Sequence, residues 1–339
     1  MLTILASILV FGVLVTVHEL GHFLTAKLTG MRVDEFAIGF GPLIYQTKQG
    51  DTTYSLRCIP LGGYNKIAGM EPGEEEVENG FSSKPILSRM LVILAGSIMN
   101  ILLPIFLFFL IFVTTGLEQP SKEPIIGTIM TGQAASRAGL MTGDKILAIN
   151  GEKTADWTSV VTKLRAAGTQ EVALQVERGN KVTEYKMAAE FNKEAQRPLI
   201  GVSPKFVQER VGVVTAGKMS LTYTKEIVKT MVRGLSRIIT GKDPAEVAGP
   251  IGVAQMAGNI AEKGLMPLLS FMALLSINLA VFNLLPVPAL DGGHFVVLLV
   301  EGIRGKPLAP RYMNAIQMIG LGLILALAVF STMKDISRL

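Results

Sequence analysis

Residues 1–22 read MLTILASILVFGVLVTVHELGH, and this stretch decides the fold. Its first seventeen residues carry no charge, which is typical of a helix that crosses a membrane. His18 and His22 follow one helical turn apart, on the same face, where two imidazoles can bind one metal ion. The chain has only three histidines, and ionisable side chains at membrane depth are rare and usually functional. The stretch therefore predicts a metal site inside a membrane span.

The composition predicts a polytopic α-helical membrane protein with a sizeable polar insert. Hydrophobic residues make up 49% of the 339 residues and charged residues only 17%. The first apolar stretch has no basic residue before it and no small-residue cleavage site, so we interpret it as a retained span. Four stretches are long enough to be transmembrane helices, at about Leu2–Leu28, Met90–Val113, Leu265–Leu285 and Met313–Met333.

Basic residues in the short loops predict the orientation in the cell (inner) membrane. Arg304, Lys306 and Arg311 crowd the link between the third and fourth spans, which should be cytoplasmic. The basic segment between the first two spans belongs on the same side, where the single cysteine, Cys58, would be reduced. Both termini and the insert at about residues 116–264 are then extracytoplasmic. A net charge of +5 without aromatic-interleaved basic patches favours a lipid bilayer over nucleic acid as partner.

A third metal ligand is expected from NLLPVPALDGGH at residues 283–294. Its two prolines break the third span, and unwound backbone at membrane depth is tolerated only in protein or beside a wet cavity. A catalytic zinc needs three protein ligands and one open position, so we expect Asp291 to join His18 and His22. The alternative is that Asp291 caps the helix that follows. His294 is predicted to support the site rather than to bind the metal.

The remaining acidic residue of the motif, Glu19, gives the site its predicted chemistry. It lies beside His18 without being a ligand, and we predict that it is the general base that takes a proton from water and returns it to a leaving amine. Two other classes of protein remain open. A membrane metal carrier or sensor would use the histidines but not Glu19, and a non-catalytic scaffold would need neither.

Residues 31–67 predict a β-structure after the first span. Runs at Val33–Ile38 and Thr53–Ile59 flank a turn at residues 49–51, which indicates a hairpin. Gly39 and Gly41 permit backbone conformations and close approaches that other residues resist. A simple cytoplasmic hairpin is one interpretation of this segment.

The insert predicts one β-rich domain at residues 122–205. AGLMTGDKILAINGEKT at Ala138–Thr154 matches the pattern of PDZ domains, which bind an extended chain end at a sheet edge. We place the carboxylate-binding backbone near residues 126–128, and a steric guard that binds nothing is the alternative. The other predicted elements are strands at Ile125–Met130, Val172–Glu177 and Thr183–Met187, and a helix near Thr158–Ala167.

An amphipathic basic helix is predicted within residues 206–264. Apolar side chains such as Tyr223 and Ile227 recur every four residues, and basic ones such as Lys225 and Lys229 recur on the opposite face. This pattern is typical of a helix in a membrane interface, and packing against the PDZ-like module is the alternative.

Together these motifs resemble the site-2 protease family. The resemblance is strongest to the bacterial regulator-of-sigma-E proteases, and it covers nearly the whole chain, although the insert is too short for the two tandem PDZ domains of better-known members. It is carried by HELGH in the first span, GFGP at Gly39–Pro42, PLGGY at Pro60–Tyr64, the single PDZ-like insert, and N-x-x-P-x-P-x-L-D-G from Asn283 to Gly292.

The resemblance implies an intramembrane endopeptidase with Zn²⁺ as cofactor. His18, His22 and Asp291 would bind the zinc, and Glu19 would be the catalytic base. The substrate would be the transmembrane segment of a single-span protein, such as an anti-sigma factor already trimmed outside the membrane or a remnant signal peptide. The PDZ-like domain would bind a peptide or protein ligand.

The resemblance also implies where the substrate binds. The hairpin that contains Gly39 and Gly41 would re-enter the membrane and pair an edge strand with the opened substrate. Asn278 and Asn283 in the third span would contact the substrate backbone, whereas Asn100 in the second span is predicted to tie helices together. The chain then divides into residues 1–117 with the first two spans, 122–205 as the PDZ-like domain, 206–264 as a surface linker, and 265–339 with the last two spans.

Overall fold

The computed structural model describes residues 1–71, 73, 77–192, 197–244 and 249–337, so short parts of the predicted domain, linker and C-terminus lie outside the described residues. The helices are α1 (Leu2–Leu28), α2 (Ile86–Thr115), α3 (Ala134–Arg137), α4 (Trp157–Ala167), α5 (Val213–Ile239), α6 (Pro250–Ala261), α7 (Leu265–Asn283), α8 (Asp291–Arg304) and α9 (Pro310–Ile336). The strands are β1 (Val33–Gln49), β2 (Thr52–Ile67), β3 (Leu117–Pro120), β4 (Ile126–Ile129), β5 (Lys145–Ile149), β6 (Glu152–Lys153), β7 (Glu171–Arg178), β8 (Lys181–Ala188), β9 (Glu190–Asn192), β10 (Arg197–Leu199), β11 (Val202–Pro204) and β12 (Phe206–Glu209).

The chain forms two compact units, which are Met1–Val113 with Gly212–Leu339, and Thr114–Val211. Among the described residues, four helices are long and apolar enough to cross a membrane, namely α1, α2, α7 and α9. The four predicted spans are therefore confirmed, with ends that differ by a few residues. The predicted break after the third span is also present, because α7 ends at Asn283 and α8 begins only at Asp291.

One end of the first unit is held together by α6. Ser7 in α1 donates a hydrogen bond from its hydroxyl to the Ala254 carbonyl at 3.4 Å. The Asp335 carboxylate at the end of α9 accepts hydrogen bonds from the N–H groups of Gly249 and Gly252 at 2.9 and 2.8 Å. A carboxylate at a helix N-terminus is favourable because the unpaired N–H groups carry partial positive charge. The start of α1, the start of α6 and the end of α9 thus lie on one side.

A buried ion pair marks the opposite end of this unit. Arg89 near the start of α2 lies 3.1 Å from the Glu301 carboxylate near the end of α8. Glu301 also accepts a hydrogen bond from the Leu308 N–H at 2.9 Å and is only 4% exposed. The basic link with Arg304 and Lys306 follows directly, so this end carries the positive charge that the orientation rule uses.

The predicted hairpin is confirmed, but its two strands are longer than predicted and bend on themselves. Phe36 pairs with both Asn65 and Tyr54, and Tyr54 also pairs with Thr47. Each strand is therefore used twice, and the register places four segments side by side in the order 43–49, 52–57, 33–38 and 63–67. Residues 63–67 consequently form one edge of this sheet.

The bend in β1 requires glycine at position 39. Gly39 has a φ of +90°, and a Cβ there would lie 2.8 Å from the Ile59 carbonyl oxygen and 2.9 Å from that of Arg57. β2 also packs closely against the first span, since a Cβ on Gly12 of α1 would lie 2.8 Å from the Pro60 carbonyl oxygen. The sheet therefore reaches the middle of α1 rather than only its end.

The predicted amphipathic helix is α5, and the middle of its apolar face packs against the other helices, whereas Tyr223 and Ile239 are 50% and 72% exposed. Ile227, Met231 and Leu235 pack against the apolar cluster of α1, α2 and α7. Tyr223 contacts the Phe108 ring edge to face at 4.8 Å between ring centroids. Basic side chains such as Lys225 remain exposed on the other face.

The Thr114–Val211 unit contains the predicted strands and helix. A four-stranded sheet runs in the order β6–β5–β7–β8, and α4 begins with a capping box between Asp156 and Ser159. Asp144 accepts hydrogen bonds from the Met141 N–H and, at 2.7 and 2.8 Å, from the Arg178 guanidinium. Burial acts to raise the pKa of Asp144, but these hydrogen bonds outweigh it and hold the pKa below its usual value.

The predicted position of the carboxylate-binding backbone is wrong. β4 pairs with β11 along one side, and on its other side the Ile126 N–H donates to the Asp144 carbonyl. Both sides of β4 are therefore occupied at Ile126, so this part of the strand has no free edge for a bound chain end. A groove of about 290 Å³ lies instead between α4 and residues 199–204, and its lining includes Trp157, Val161 and Val202.

Candidate metal centre

The structure brings His18, His22 and Asp291 together from the first span and the start of α8. The Asp291 Oδ2 lies 3.4 Å from His18 Nε2 and 3.6 Å from His22 Nε2, and the two Nε2 atoms are 3.2 Å apart. One ligand atom from each residue lies within 4.8 Å of the others, which is a spacing that one ion can bridge. Two imidazoles and one carboxylate are a common ligand set of catalytic zinc.

Contacts from α2 orient two of these side chains. His22 Nδ1 donates to the Val92 carbonyl at 2.8 Å, which leaves Nε2 with a free lone pair for a metal. Ser97 donates a hydrogen bond to Asp291 Oδ2 at 3.4 Å. These contacts fit a metal site, because ligands of metals are usually held by an outer hydrogen bond.

The loop between α7 and α8 presents Asp291 to the histidines. Ala289 has a φ of +69°, which is uncommon for a residue other than glycine and turns the chain into α8. The N-cap residue of α8 is Leu290, which makes no side-chain capping bond, and Asp291 is the first residue of the helix itself. The structure therefore does not support the alternative role of Asp291 as the helix cap. A Cβ on Gly320 of α9 would lie 2.7 Å from the Pro288 side chain, so the fourth span holds this loop in place.

Two glycines allow α1 and α2 to approach closely at the site. A Cβ on Gly21 would lie 2.7 Å from the Ala95 carbonyl carbon, and one on Gly96 would lie 2.6 Å from His18 Cε1 and 2.7 Å from His22 Cε1. Small residues let helix backbones approach one another in membranes. The imidazoles therefore occupy the space that a side chain at position 96 would take.

A cavity of about 300 Å³ opens onto the three ligands, and Glu19 faces it as well. Its walls combine the three candidate metal ligands, the additional carboxylate of Glu19 and polar side chains, and metal-assisted hydrolysis needs these kinds of group. The lining residues are His18, Glu19, His22, Asn65, Ile67, Met70, Asn283, Ala289, Leu290, Asp291 and His294.

The structure separates the two asparagines that the resemblance grouped. Asn283 lines the cavity, whereas Asn278 is not among the lining residues. Five residues correspond to about 140° around an α-helix, so the two side chains leave α7 in different directions. Gly39 and Gly41 do not line the cavity either, because they form the bend of β1.

Two further residues of the cavity, His294 and Asn65, are not metal ligands but line the site. His294 lines this cavity and a neighbouring one of about 260 Å³, and it is not part of the group of three ligands. Asn65, at the edge of the sheet, has both side-chain polar atoms buried without a hydrogen-bond partner in the described part of the chain. Nothing in the sequence marked Asn65, because its neighbourhood depends on how β2 folds back.

The sequence profile described as Peptidase family M50 matches residues 6–327. The chain belongs to peptidase family M50. It is 31% identical to the regulator of sigma-W protease RasP of Bacillus subtilis, over 99% of both chains. It is also 31% identical to the zinc metalloprotease RasP of Geobacillus kaustophilus, over 99% of this chain and 98% of that one. This M50 protein is a membrane metalloprotease, which confirms the predicted family and enzyme class over a carrier or scaffold.

Among solved structures, this M50 protein is similar to the PDZ domain of the SdrC-like protein from Listeria monocytogenes. The identity is 16%, the match covers 26% of this chain and 93% of that domain, and the TM-score is 0.23. The PDZ domain of the SdrC-like protein from Listeria innocua matches with the same identity and TM-score. At this TM-score the likeness carries no conclusion of its own.

Proposed function

We propose that this protein is a zinc endopeptidase that cleaves a transmembrane segment of another protein within the bilayer. The observation that carries the proposal is the group of His18, His22 and Asp291, with Glu19 in the same cavity, on a helix that is long and apolar enough to span a membrane.

The depth of the site supports cleavage inside the membrane. At about 1.5 Å per residue, His18 lies about 24 Å from the Leu2 end of α1 and about 15 Å from the Leu28 end. A hydrocarbon core is about 30 Å thick, so a centred α1 keeps the ligands within it. A peptide bond in a transmembrane helix lies at this depth, whereas a bond in a soluble loop does not.

The residues divide the work of hydrolysis between them. His18, His22 and Asp291 would hold the zinc, which when bound activates water and polarises the scissile carbonyl. Glu19 takes a proton from the attacking water and delivers it to the leaving amine, so that cleavage yields a free carboxylate and a free amino group. His18 is only 8% exposed, and electrostatic interactions are stronger in such a buried setting than in water.

The hairpin is proposed to re-enter the membrane. The Pro60 carbonyl contacts α1 at Gly12, which lies about 15 Å from the Leu2 end of the span. A cluster of large apolar side chains on the sheet is 42–63% exposed, which suits contact with lipid better than contact with water. Its members are Phe40, Leu43, Ile44, Tyr45, Leu56, Ile59 and Leu61.

The opened substrate is proposed to lie along the sheet edge at residues 63–67. A helical peptide bond is shielded until the helix opens, and an edge strand can hold the opened chain through backbone hydrogen bonds. Asn65 and Ile67 of this edge line the same cavity as Glu19, and so does Asn283 of α7. The two asparagine amides would pair with substrate peptide groups.

The proposed location is the cell membrane, with the Thr114–Val211 unit and both termini extracytoplasmic. The contacts of α6 with α1 and α9 gather the start and the end of the chain on one side. The basic link after α8 lies at the other end and belongs in the cytoplasm. The proposed substrates are single-span proteins with a trimmed outer domain, a class that includes membrane-anchored anti-sigma factors.

The decisive experiment is cleavage of a tagged single-span substrate by the purified protein in liposomes. We expect one cut within the span, no cut after zinc chelation, and recovery when about one equivalent of zinc returns, because hydrolysis needs the metal. Mass spectrometry of both products locates the bond.

The same substrate extended by a folded outer domain shows whether trimming is required. A cut outside the span, or full activity of protein that retains no bound metal, would overturn the proposal.

The groove beside α4 is proposed to bind an apolar extended peptide. Trp157 is the only tryptophan of the chain and lines this groove, so its fluorescence reports on binding. We expect Val161→Asp to weaken binding of an apolar C-terminal peptide about tenfold or more, because the charge loses water in the complex. Thr162→Asp, on the exposed neighbouring position, should bind normally. If the Trp157 fluorescence did not change on addition of any apolar peptide, the domain would be a steric guard instead.

A further inference from the structure

Asn100 is a fully buried polar residue in the second span, and its side chain faces the metal centre. It is 0% exposed, and its amide nitrogen lies 3.2 Å from His18 Nδ1. Its main-chain carbonyl accepts a hydrogen bond from the Ser276 hydroxyl at 2.8 Å. The tie between helices that the sequence predicted for Asn100 is therefore present. One of its partners is a candidate metal ligand, which the sequence did not indicate.

The chemistry of a metal-binding imidazole determines which end of the amide must face His18. Nε2 of His18 points at Asp291, and it can bind a metal only through a free lone pair, so the ring hydrogen must be on Nδ1. An Nδ1–H group requires an acceptor, and the acceptor of an asparagine side chain is Oδ1. The two ends of an amide have nearly the same shape, so the Asn100 amide can turn over within the same packing. Its Oδ1 has no other partner among the described residues.

We propose that Asn100 is a positioning residue that accepts a hydrogen bond from His18 Nδ1–H and so keeps Nε2 free for the metal. His22 receives the equivalent restraint from the Val92 main-chain carbonyl, which no substitution removes. The Gly96 main-chain carbonyl also accepts a hydrogen bond from the His18 ring, and Asn100 is the side chain of α2 that adds a restraint on this imidazole. The inference rests on the metal site of the proposed function, but it does not depend on which substrate is cleaved.

The test is the zinc dissociation constant of the full-length protein in detergent, measured by competition with a chromogenic chelator. Asn100→Leu keeps the size of the side chain and removes the acceptor, and we expect it to weaken zinc binding about 10- to 100-fold. Asn100→Asp restores an acceptor, and we expect affinity within about threefold of the wild type, since carboxylates commonly hold metal-binding histidines. The absorption spectrum of the cobalt-substituted protein should change in Asn100→Leu and return in Asn100→Asp.

Ser276→Ala is the matched control. It removes the hydrogen bond between α7 and the Asn100 main chain while leaving the amide beside His18 in place. We expect unchanged zinc affinity in this variant. If Ser276→Ala weakened zinc binding as much as Asn100→Leu, helix packing alone would explain the effect and the proposal would be wrong. Wild-type affinity in Asn100→Leu would also overturn it, and so would equal weakening in the leucine and aspartate variants.

The wild-type measurement separates this inference from the proposed function. A wild-type protein that binds no zinc contradicts the metal centre itself. Wild-type binding with an unaffected Asn100→Leu variant contradicts only the role of Asn100. If Asn100→Leu loses zinc affinity while the wild-type protein cuts no tested substrate, the positioning role of Asn100 is supported. The same result counts against the proposed endopeptidase activity.

Discussion

Glu19→Gln should lower the rate of peptide-bond cleavage about 10²- to 10⁴-fold, the usual contribution of a general base. Glutamine keeps the size of the side chain but cannot take a proton from water. Glu19 lines the cavity beside the three ligands without belonging to the ligand group, so zinc content should stay at the wild-type value. Single-turnover cleavage of the tagged substrate and metal analysis of the same preparation measure the two quantities separately.

The control for this variant is Glu262→Gln. Glu262 lies at the end of α6 in the same unit and is exposed, so the same chemical change should leave cleavage unaltered. Equal rates for Glu19→Gln and the wild type would exclude Glu19 as the base. Loss of zinc together with activity would instead identify Glu19 as part of the metal-binding group.

Gly96→Ala should have the second large effect, although the glycine carries no reactive group. The added methyl would lie 2.6 Å from His18 Cε1 and 2.7 Å from His22 Cε1, distances that side chains do not tolerate. Overpacking of this kind costs about 1–3 kcal/mol. If the imidazoles move to make room, zinc affinity falls by about 5- to 150-fold, because about 1.4 kcal/mol corresponds to a factor of ten. Chelator competition measures the affinity, and the rate of cleavage should fall with zinc occupancy.

Gly322→Ala in the fourth span is the matched substitution. Apart from the backbone of its own helix, no atom of the described residues lies within 4 Å of a Cβ at position 322, so this change adds a methyl to a membrane helix without a clash. Its zinc affinity and activity should equal those of the wild type. If Gly96→Ala bound zinc as tightly as Gly322→Ala, the close contact between α2 and the two imidazoles would be contradicted.

The elements that the sequence predicted well depend on neighbouring residues. The spans follow from the length of apolar stretches, and the position of His18 above His22 follows from the period of the helix. The helix predicted near Thr158–Ala167 begins at Trp157, where the nearby side chains Asp156 and Ser159 cap it. Each of these signals lies within a few residues of the structure it specifies, so one sequence suffices to find it.

The residues that were misplaced or missed depend on distant partners. Asn278 and Asn283 belong to one helix, yet only the packing of α7 determines which of them faces the cavity. The carboxylate-binding backbone was predicted wrongly because β11, far along the chain, pairs with β4 and occupies its edge. Asn65 reaches the cavity only because β2 folds back along β1.

The sequence by itself determined the spans, the pair of histidines, the adjacent carboxylate and the family, because short-range periodicity and motif spacing carry this information. Only the tertiary structure decided that Asp291 meets the histidines and that α2 supplies the surrounding hydrogen bonds. It also decided that Gly96 leaves room for both rings. The reason is that such contacts join residues of different helices, and the fit of one packed surface against another selects them rather than any local propensity.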